Sequence, residues 1–331
     1  MPNPDVGALS VNAEFTRRHA GPVKFGVHLP LMGLGGQRFD VDHLARYVET
    51  AVELGFEAVC ANDHVVFDSP WLDGPTALAA VVSCSGSARL VTTVANPVVR
   101  GPAVLAKALA ALDVLSSGRV VAGLAPGSSE RDYASVAVPF VERWERFDEA
   151  VRATRALLRG DSFAGAHYKV DEPLTPLPVQ PGGPPLWLGS WGSDAGMRRV
   201  ARLGDGWLAS AYNLGADQFG AGWASLRERL AGSGRDPEGF ATALGTMWFH
   251  VDARRADDVL TNRLAPVMHR PVDQLRERLA FGTGEAVLDK VAAFRDAGVQ
   301  WMLVWPVGDD AGDDIEQLHR FHDAVVARLL S

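Results

Sequence analysis

Eight times along this chain a short β-branched run is followed by a longer stretch of helical apolar period. Residues 23–29, 57–62, 89–95, 119–125, 186–190, 206–210, 243–251 and 299–304 predict strands. Residues 41–54, 74–83, 102–115, 144–158, 194–203, 217–230, 285–297 and 313–330 predict the helices between and after them. Strands that alternate with helices pair in parallel through right-handed crossovers. Eight such units favour closure over an open sheet. The expected fold is therefore α/β, a (β/α)8 TIM barrel with insertions after strands 4 and 7. The first insertion, 161–183, carries a hairpin candidate at 167–170 and a proline-rich return. The second, 252–281, is charged and without clean period, which makes it a lid candidate. Residues 1–22 read as a polar N-terminal arm, and 23–331 as a single barrel domain.

The rival architecture is a dinucleotide-binding doubly wound sheet, which needs G-x-G-x-x-G after its first strand. Here Leu31-Met32-Gly33-Leu34-Gly35-Gly36 offers glycines in another order, in a link too long for a phosphate turn. A length of 331 residues, 47% hydrophobic and 22% charged, suits one large soluble barrel. The net charge of −8 argues against a nucleic-acid or anionic-membrane surface. Cys60 and Cys84 sit in apolar contexts without metal-ligand spacing and read as reduced thiols. The first 22 residues lack a signal-peptide apolar core, and no run approaches the roughly 18 apolar residues of a membrane span. A cytoplasmic location is the expectation.

Barrel chemistry gathers at the carboxyl ends of the strands. At the end of strand 2 stands Asp63-His64, an acid–imidazole pair in which the carboxylate can orient the ring and fix its tautomer. Capping of the following helix is the plainer reading of the same dipeptide. After strand 3, Thr93, Val94 and Asn96 open a stiff loop with prolines at 97 and 102. After strand 4, Gly127 and Ser128 belong to a small-residue loop whose amides could approach an anion or a planar ring. After strand 5, Gly189-Ser190-Trp191-Gly192 leads straight into a helix bearing Arg198 and Arg199. Glycines, a serine and a free helix N-terminus make a phosphate cradle, although Ser193 or Asp194 as an ordinary N-cap explains part of the pattern.

Several segments carry a resemblance: KFGVHLP, GFEAVCANDH, the long stretch TTVANPVVRGPAVLAKALAALDVLSSGRVVAGLAPGSSERDY, PPLWLGSWGSDAGMRRVARLGDGWLAS and GTGEAVLDKVAAFRDAGVQWMLVWP. Together they resemble the bacterial luciferase-like monooxygenase superfamily, most closely its coenzyme F420-dependent oxidoreductase branch. The resemblance runs from about residue 24 to the C-terminus and is most specific over 92–133. It implies a flavin-type ring lying across the strand ends, with a non-prolyl cis peptide at Thr93–Val94 behind it. It implies that Asp63 and His64 face the reactive edge, with His64 moving the proton, and that Gly189 to Gly192 hold the cofactor phosphate. Coenzyme F420 is the cofactor it favours, with flavin mononucleotide (FMN) the alternative. The deazaflavin-dependent sugar-phosphate dehydrogenases of the superfamily carry Gly-Glu in the strand-4 loop. This chain has Gly127-Ser128 there, which weighs against sugar-phosphate oxidation by the same route.

Trp71, Trp248 and Trp305 fall near strand ends, and His28, Met32 and Phe67 join them to suggest an apolar mouth for an apolar or aromatic small-molecule substrate. Core packing explains any one of these rings equally well. A metallohydrolase needs more than the lone His28 at strand 1, so no metal site is expected. No Gly-x-Ser-x-Gly elbow supports a catalytic serine. The expectation is a hydride-transferring F420 enzyme. The alternatives are an FMN monooxygenase supplied by a partner reductase and a non-catalytic flavin-binding protein. The resemblance also suggests a homodimer.

Overall fold

The structure, a computed structural model, describes residues 23–34, 39–309 and 311–329. The expected N-terminal arm lies outside the described residues. Eight parallel strands form the barrel wall: β1 Lys24–His28, β2 Ala58–Ala61, β3 Arg89–Thr92, β4 Val120–Leu124, β5 Leu186–Gly189, β6 Gly206–Ser210, β7 Ala241–Val251 and β8 Trp301–Pro306. Each pairs with the next, and β8 returns to β1, with Trp301 beside Lys24 and Val304 beside Val27. The sheet closes as a (β/α)8 barrel, as the alternation predicts.

Eight helices follow the eight strands: α1 Val41–Glu53, α2 Gly74–Ala80, α3 Pro102–Leu115, α4 Arg143–Leu158, α5 Asp194–Leu203, α6 Ala216–Gly232, α7 Gly284–Asp296 and α8 Ala311–Phe321. Local chemistry fixes their starts. Asp73, Ser193 and Thr283 each accept a hydrogen bond from an amide two to three residues into the helix, and Pro102 opens α3 where no amide is needed.

Two apolar layers result. Between strands and helices lies the larger core, which includes Val27, Val59, Leu90, Leu105, Phe147 and Phe219. Inside the barrel a separate cluster includes Ala58, Cys60, Val91, Trp187, Trp301 and Leu303, with the rings of Trp187 and Trp301 5.9 Å apart. Strand side chains alternate faces, so residues two apart from this inner set also point inward. Gly26 lies in that layer. A Cβ there would stand 2.7 Å from Leu303 Cδ2 and 2.8 Å from the Ala58 Cβ. By the same alternation His28 and Trp305 form the next layer up, at the mouth.

Two expectations need correction. Residues 252–281 are helical through much of their length: a π-helical turn at Val259–Leu264 and a short helix at Val272–Arg278, ending in a strand, Ala280–Gly282, parallel to the overhanging end of β7. The π-turn displaces the apolar period, and left-handed His269 (φ 50°) interrupts it, so the sequence shows no repeat. Strand β8 starts two residues later than its β-branched Val299 suggests, because Gly298 and Val299 still close the end of α7 through bonds to Arg295 and Phe294. The hairpin of the first insertion pairs Phe163–Ala164 with Lys169–Val170, tied down by Glu149, which accepts from the His167 and Tyr168 amides.

Gly26→Val tests the inner layer. The added branches have no space against Ala58, so the variant is expected to lose at least about 2 kcal/mol in denaturant unfolding. A midpoint equal to the parent's would show the interior to be loosely packed.

Candidate active site

Loops after β2, β3, β4 and β5 meet over the mouth of the barrel. The loop after β4 turns into a short helix, Glu130–Ser135, capped by Ser129, whose hydroxyl accepts from the Asp132 amide at 3.2 Å. Its carboxylate accepts three hydrogen bonds from the β2 loop: His64 Nδ1 at 2.8 Å and the Val65 and Val66 amides at 3.0 and 2.9 Å. Burial pushes the Asp132 carboxyl up, but the bonds from His64 and the two amides outweigh it and hold the group below its ordinary value. An ionised carboxylate only accepts, so His64 Nδ1 carries its hydrogen and Nε2 keeps a lone pair.

The partner expected for His64 was Asp63, and this is corrected. Asp63 accepts from Arg100 Nε and Nη2 at 2.5 and 2.6 Å, and Arg100 also reaches Asp73. The Asp63 side chain is 3% exposed. Burial alone would lower the Arg100 pKa, yet Asp63 and then Asp73 more than offset it, so the guanidinium stays charged. Adjacent side chains of an extended segment point to opposite sides, which sends Asp63 toward the β3 loop and His64 toward the β4 loop. Asp63 therefore fixes the loops to one another.

The structure brings the expected aromatic residues next to one another. His64 lies 4.8 Å from both Phe67 and Trp71, and Phe67 and Trp71 are 4.7 Å apart, edge to face. Trp71 meets Trp305 at 5.9 Å, and Trp305 stacks on Trp248 at 3.9 Å and on His28 at 4.3 Å. The Met32 backbone bridges to Trp71. Trp248 and Trp305 are buried, so the open wall consists of Phe67 and Trp71. Nε2 of His28 and Nε1 of Trp71 and Trp248 are buried without a hydrogen-bond partner.

At the end of β3 the Thr93–Val94 peptide is cis, as the resemblance implies. Thr93 Oγ1 lies 3.4 Å from His28 Nδ1. Asn96 is committed to the loops: Nδ2 donates to the Pro126 carbonyl at 2.7 Å, while Oδ1 accepts from the Val98 and Val99 amides. It acts as a clamp between the β3 and β4 loops, which leaves little of its polarity for a ligand. Ser128 and Gly127 are exposed on the β4 loop. Beyond β5, Ser190 Oγ accepts from the Gly192 amide at 3.3 Å, and Ser193 caps α5 through the Gly196 amide. The remaining first-turn amides of α5 have no intrahelical acceptor. Gly192 has φ 82°, and a Cβ on it would meet nothing within 4 Å. The space before the cradle is open and fits a phosphate. Trp191 projects outward, 57% exposed, away from the aromatic cluster.

Asp132 and Arg100 escaped sequence reasoning. The available signal for Asp132 was Ser129 three residues before it, a cap placing an acid in a first helical turn. Arg100 had no local signal, since its partners lie 37 and 27 residues away.

Desolvation lowers the buried His28 imidazole from 6.5 to about 3. The unfolded chain therefore takes up a proton, between about pH 6.5 and 3, that the native state refuses. Native stability falls on acidification through that window. His28→Phe should flatten the pH dependence of the urea midpoint between about pH 6 and 4. An unchanged slope would place a solvated histidine at the mouth.

Comparison with known proteins agrees with this architecture. An F420-dependent hydroxymycolic acid dehydrogenase of Mycobacterium tuberculosis is 29% identical over 310 residues, 83% of this chain and 82% of that enzyme. An F420-dependent glucose-6-phosphate dehydrogenase of Kineococcus radiotolerans is 32% identical over 232 residues, 66% of this chain and 65% of that enzyme. The monooxygenase RslO1 from Streptomyces bottropensis superposes with a TM-score of 0.79 at 21% identity, covering 92% of this chain and 99% of that one. Residues 23–327 match the luciferase-like monooxygenase family, and the chain belongs to it.

Proposed function

We propose that the protein is an oxidoreductase that binds coenzyme F420 across the strand ends and exchanges a hydride between it and an apolar or aromatic substrate. The observation that carries this reading is the His64–Asp132 pair set into a wall of aromatic rings. When bound, the deazaflavin supplies the hydride donor or acceptor. The rest of the chemistry falls to the chain's own residues. His64 Nε2, its lone pair fixed by the Nδ1 bond to Asp132, takes the proton that an alcohol-type substrate loses on oxidation and returns it in reduction. Asp132 positions the ring. Phe67 and Trp71 seat the apolar body of the substrate and exclude water.

The Ser190–Gly192 loop and the first turn of α5 would hold the cofactor phosphate, and the backbone at Thr93–Val94 would lie behind its ring. F420 is favoured over flavin mononucleotide because the two sequence relatives are F420-dependent dehydrogenases. A sugar phosphate is disfavoured as substrate, because exposed Ser128 stands where the sugar-phosphate enzymes of the family place an acid.

Titration of the purified apoprotein with F420 and with flavin mononucleotide, followed by turnover with and without oxygen, tests the reading. Tight F420 binding and oxygen-independent turnover support it. Tight flavin mononucleotide binding with oxygen-dependent product would instead make the protein a monooxygenase fed by a separate reductase.

His64→Ala should slow turnover about 100-fold with cofactor affinity nearly unchanged. Asp132→Asn should lower kcat about 10- to 100-fold with little change in KM, since the amide can donate to Nδ1 and select the wrong tautomer. Full turnover in His64→Ala would remove the imidazole from the proton transfer. Gly192→Asp and Gly192→Asn form a matched pair, because both residues tolerate a left-handed backbone. The aspartate should weaken cofactor binding at least about tenfold more than the asparagine. Equal affinities would move the phosphate elsewhere.

A further inference from the structure

The wall of the mouth opposite Phe67 and Trp71 is polar. Strands β2 and β6 stand four places apart in the ring of eight, on opposite sides of the barrel. Leu208 of β6 points into the barrel interior, so Ser210, two residues on, points into the mouth. Beside it β7 carries a bulge. Leu244 lies opposite Met302 and Met247 opposite Val304, so Gly245 and Thr246 together face Leu303 alone. Thr246 has φ 54°, a left-handed backbone that β-branched residues avoid. Such strain persists only where the surrounding structure enforces it, and it gathers at ligand sites. The Thr246 hydroxyl lies 2.9 Å from Ser210 Oγ, so the extra residue of the bulge brings a second polar side chain to the same wall.

The two hydroxyls are oriented by a chain of bonds from the 252–281 insertion. A guanidinium only donates, so Arg270 Nη2, 3.0 Å from Asn213 Oδ1, turns the Asn213 amide nitrogen toward Ser210 Oγ, also at 3.0 Å. Thr246 Oγ1 donates to the Gly245 carbonyl at 2.8 Å, so the hydrogen between the two hydroxyls comes from Ser210. Both hydroxyl hydrogens are then committed, while each oxygen keeps a lone pair. Thr246 is 7% exposed and Ser210 is half-buried, which leaves the pair within reach of a ligand. The neighbour of Arg270, His269, meets Asp68 beside Phe67 at 2.8 Å, so one corner of the insertion touches both the polar and the aromatic wall.

We propose that Ser210 and Thr246 form a second binding subsite, which accepts a hydrogen bond from a hydroxyl at the far end of the substrate. The inference rests on the reading above that the mouth takes an apolar or aromatic substrate, and it narrows that class. The substrate is a flat apolar body with a polar group at each end: the reacting alcohol at His64, and a donor hydroxyl against β6 and β7. An ether at the far end offers no hydrogen and leaves the lone pairs unmatched. A site built to pair with a donor rejects analogues that lack it.

The test is calorimetric binding, on the protein alone and with reduced F420, which takes no hydride from an alcohol. The probes are a hydroxymethyl-naphthol with its two groups at opposite ends of the ring system, its methyl ether, and the matching pair on a longer biphenyl frame. On at least one frame the phenol should bind at least about fivefold more tightly than its ether. Thr246→Val keeps the side-chain shape and removes the oxygen, and should cut that difference below about twofold. Ser210→Ala leaves the bulge untouched and should act in the same direction, so a folding defect in the first variant does not decide the outcome. Thermal unfolding checks both. Equal affinity for phenol and ether on both frames, or a preference that Ser210→Ala and a folded Thr246→Val retain, overturns the subsite while the aromatic mouth stands. Failure of every probe to bind overturns the aromatic substrate reading with it.

Discussion

One carboxylate organises the mouth of this barrel. Asp132 accepts from the His64 imidazole and from two successive backbone amides of the same loop, so it orients the ring and fixes the segment that carries it. The bonds from His64 and the two amides outweigh the desolvation of its buried position, and the group stays ionised. Without that charge, the imidazole would lose its tautomer preference and the Val65–Val66 amides would lose their acceptor. A neighbouring ion pair, Arg100 with Asp63, does the corresponding work between the β2 and β3 loops. Asn96 then ties the β3 loop to the β4 loop. Three polar contacts thus lock three loops around the His64 imidazole.

The barrel beneath them supplies rigidity. Its interior is filled by Trp187, Trp301 and smaller residues, and Gly26 is needed where β1, β2 and β8 come together. The next inward layer changes character. His28, Trp305 and Trp248 stack over the packed interior and present flat surfaces to the mouth, with several ring nitrogens left without partners. Desolvation keeps His28 neutral, so this floor adds no charge beneath the mouth. His64 is the ionisable group set among the partly buried rings Phe67 and Trp71.

Much of this was legible in the sequence because it rests on local periodicity. Alternating runs gave the strand count, and α5 and β6 begin and end where Ser193, Gly204 and Gly206 punctuate the chain. The glycines and serines after β5 announced a helix start with open space before it. What stayed hidden depends on contacts across the fold. Asp63 beside His64 looked like its partner, whereas the partner lies 68 residues away and is brought near by a short capped helix. Trp191 read as part of the site by its place in the loop, but its side chain turns to solvent. The 252–281 segment concealed its order because a π-helical turn shifts the apolar period on which recognition relies.

The account depends on His64 holding its hydrogen on Nδ1 against Asp132. Nitrogen-15 NMR of the protein labelled at histidine, recorded where the imidazoles are neutral, reads this directly. The account predicts a protonated Nδ1 and an unprotonated Nε2 for His64, with that preference lost in Asp132→Asn. A resonance showing the hydrogen on Nε2 in the parent protein would contradict it.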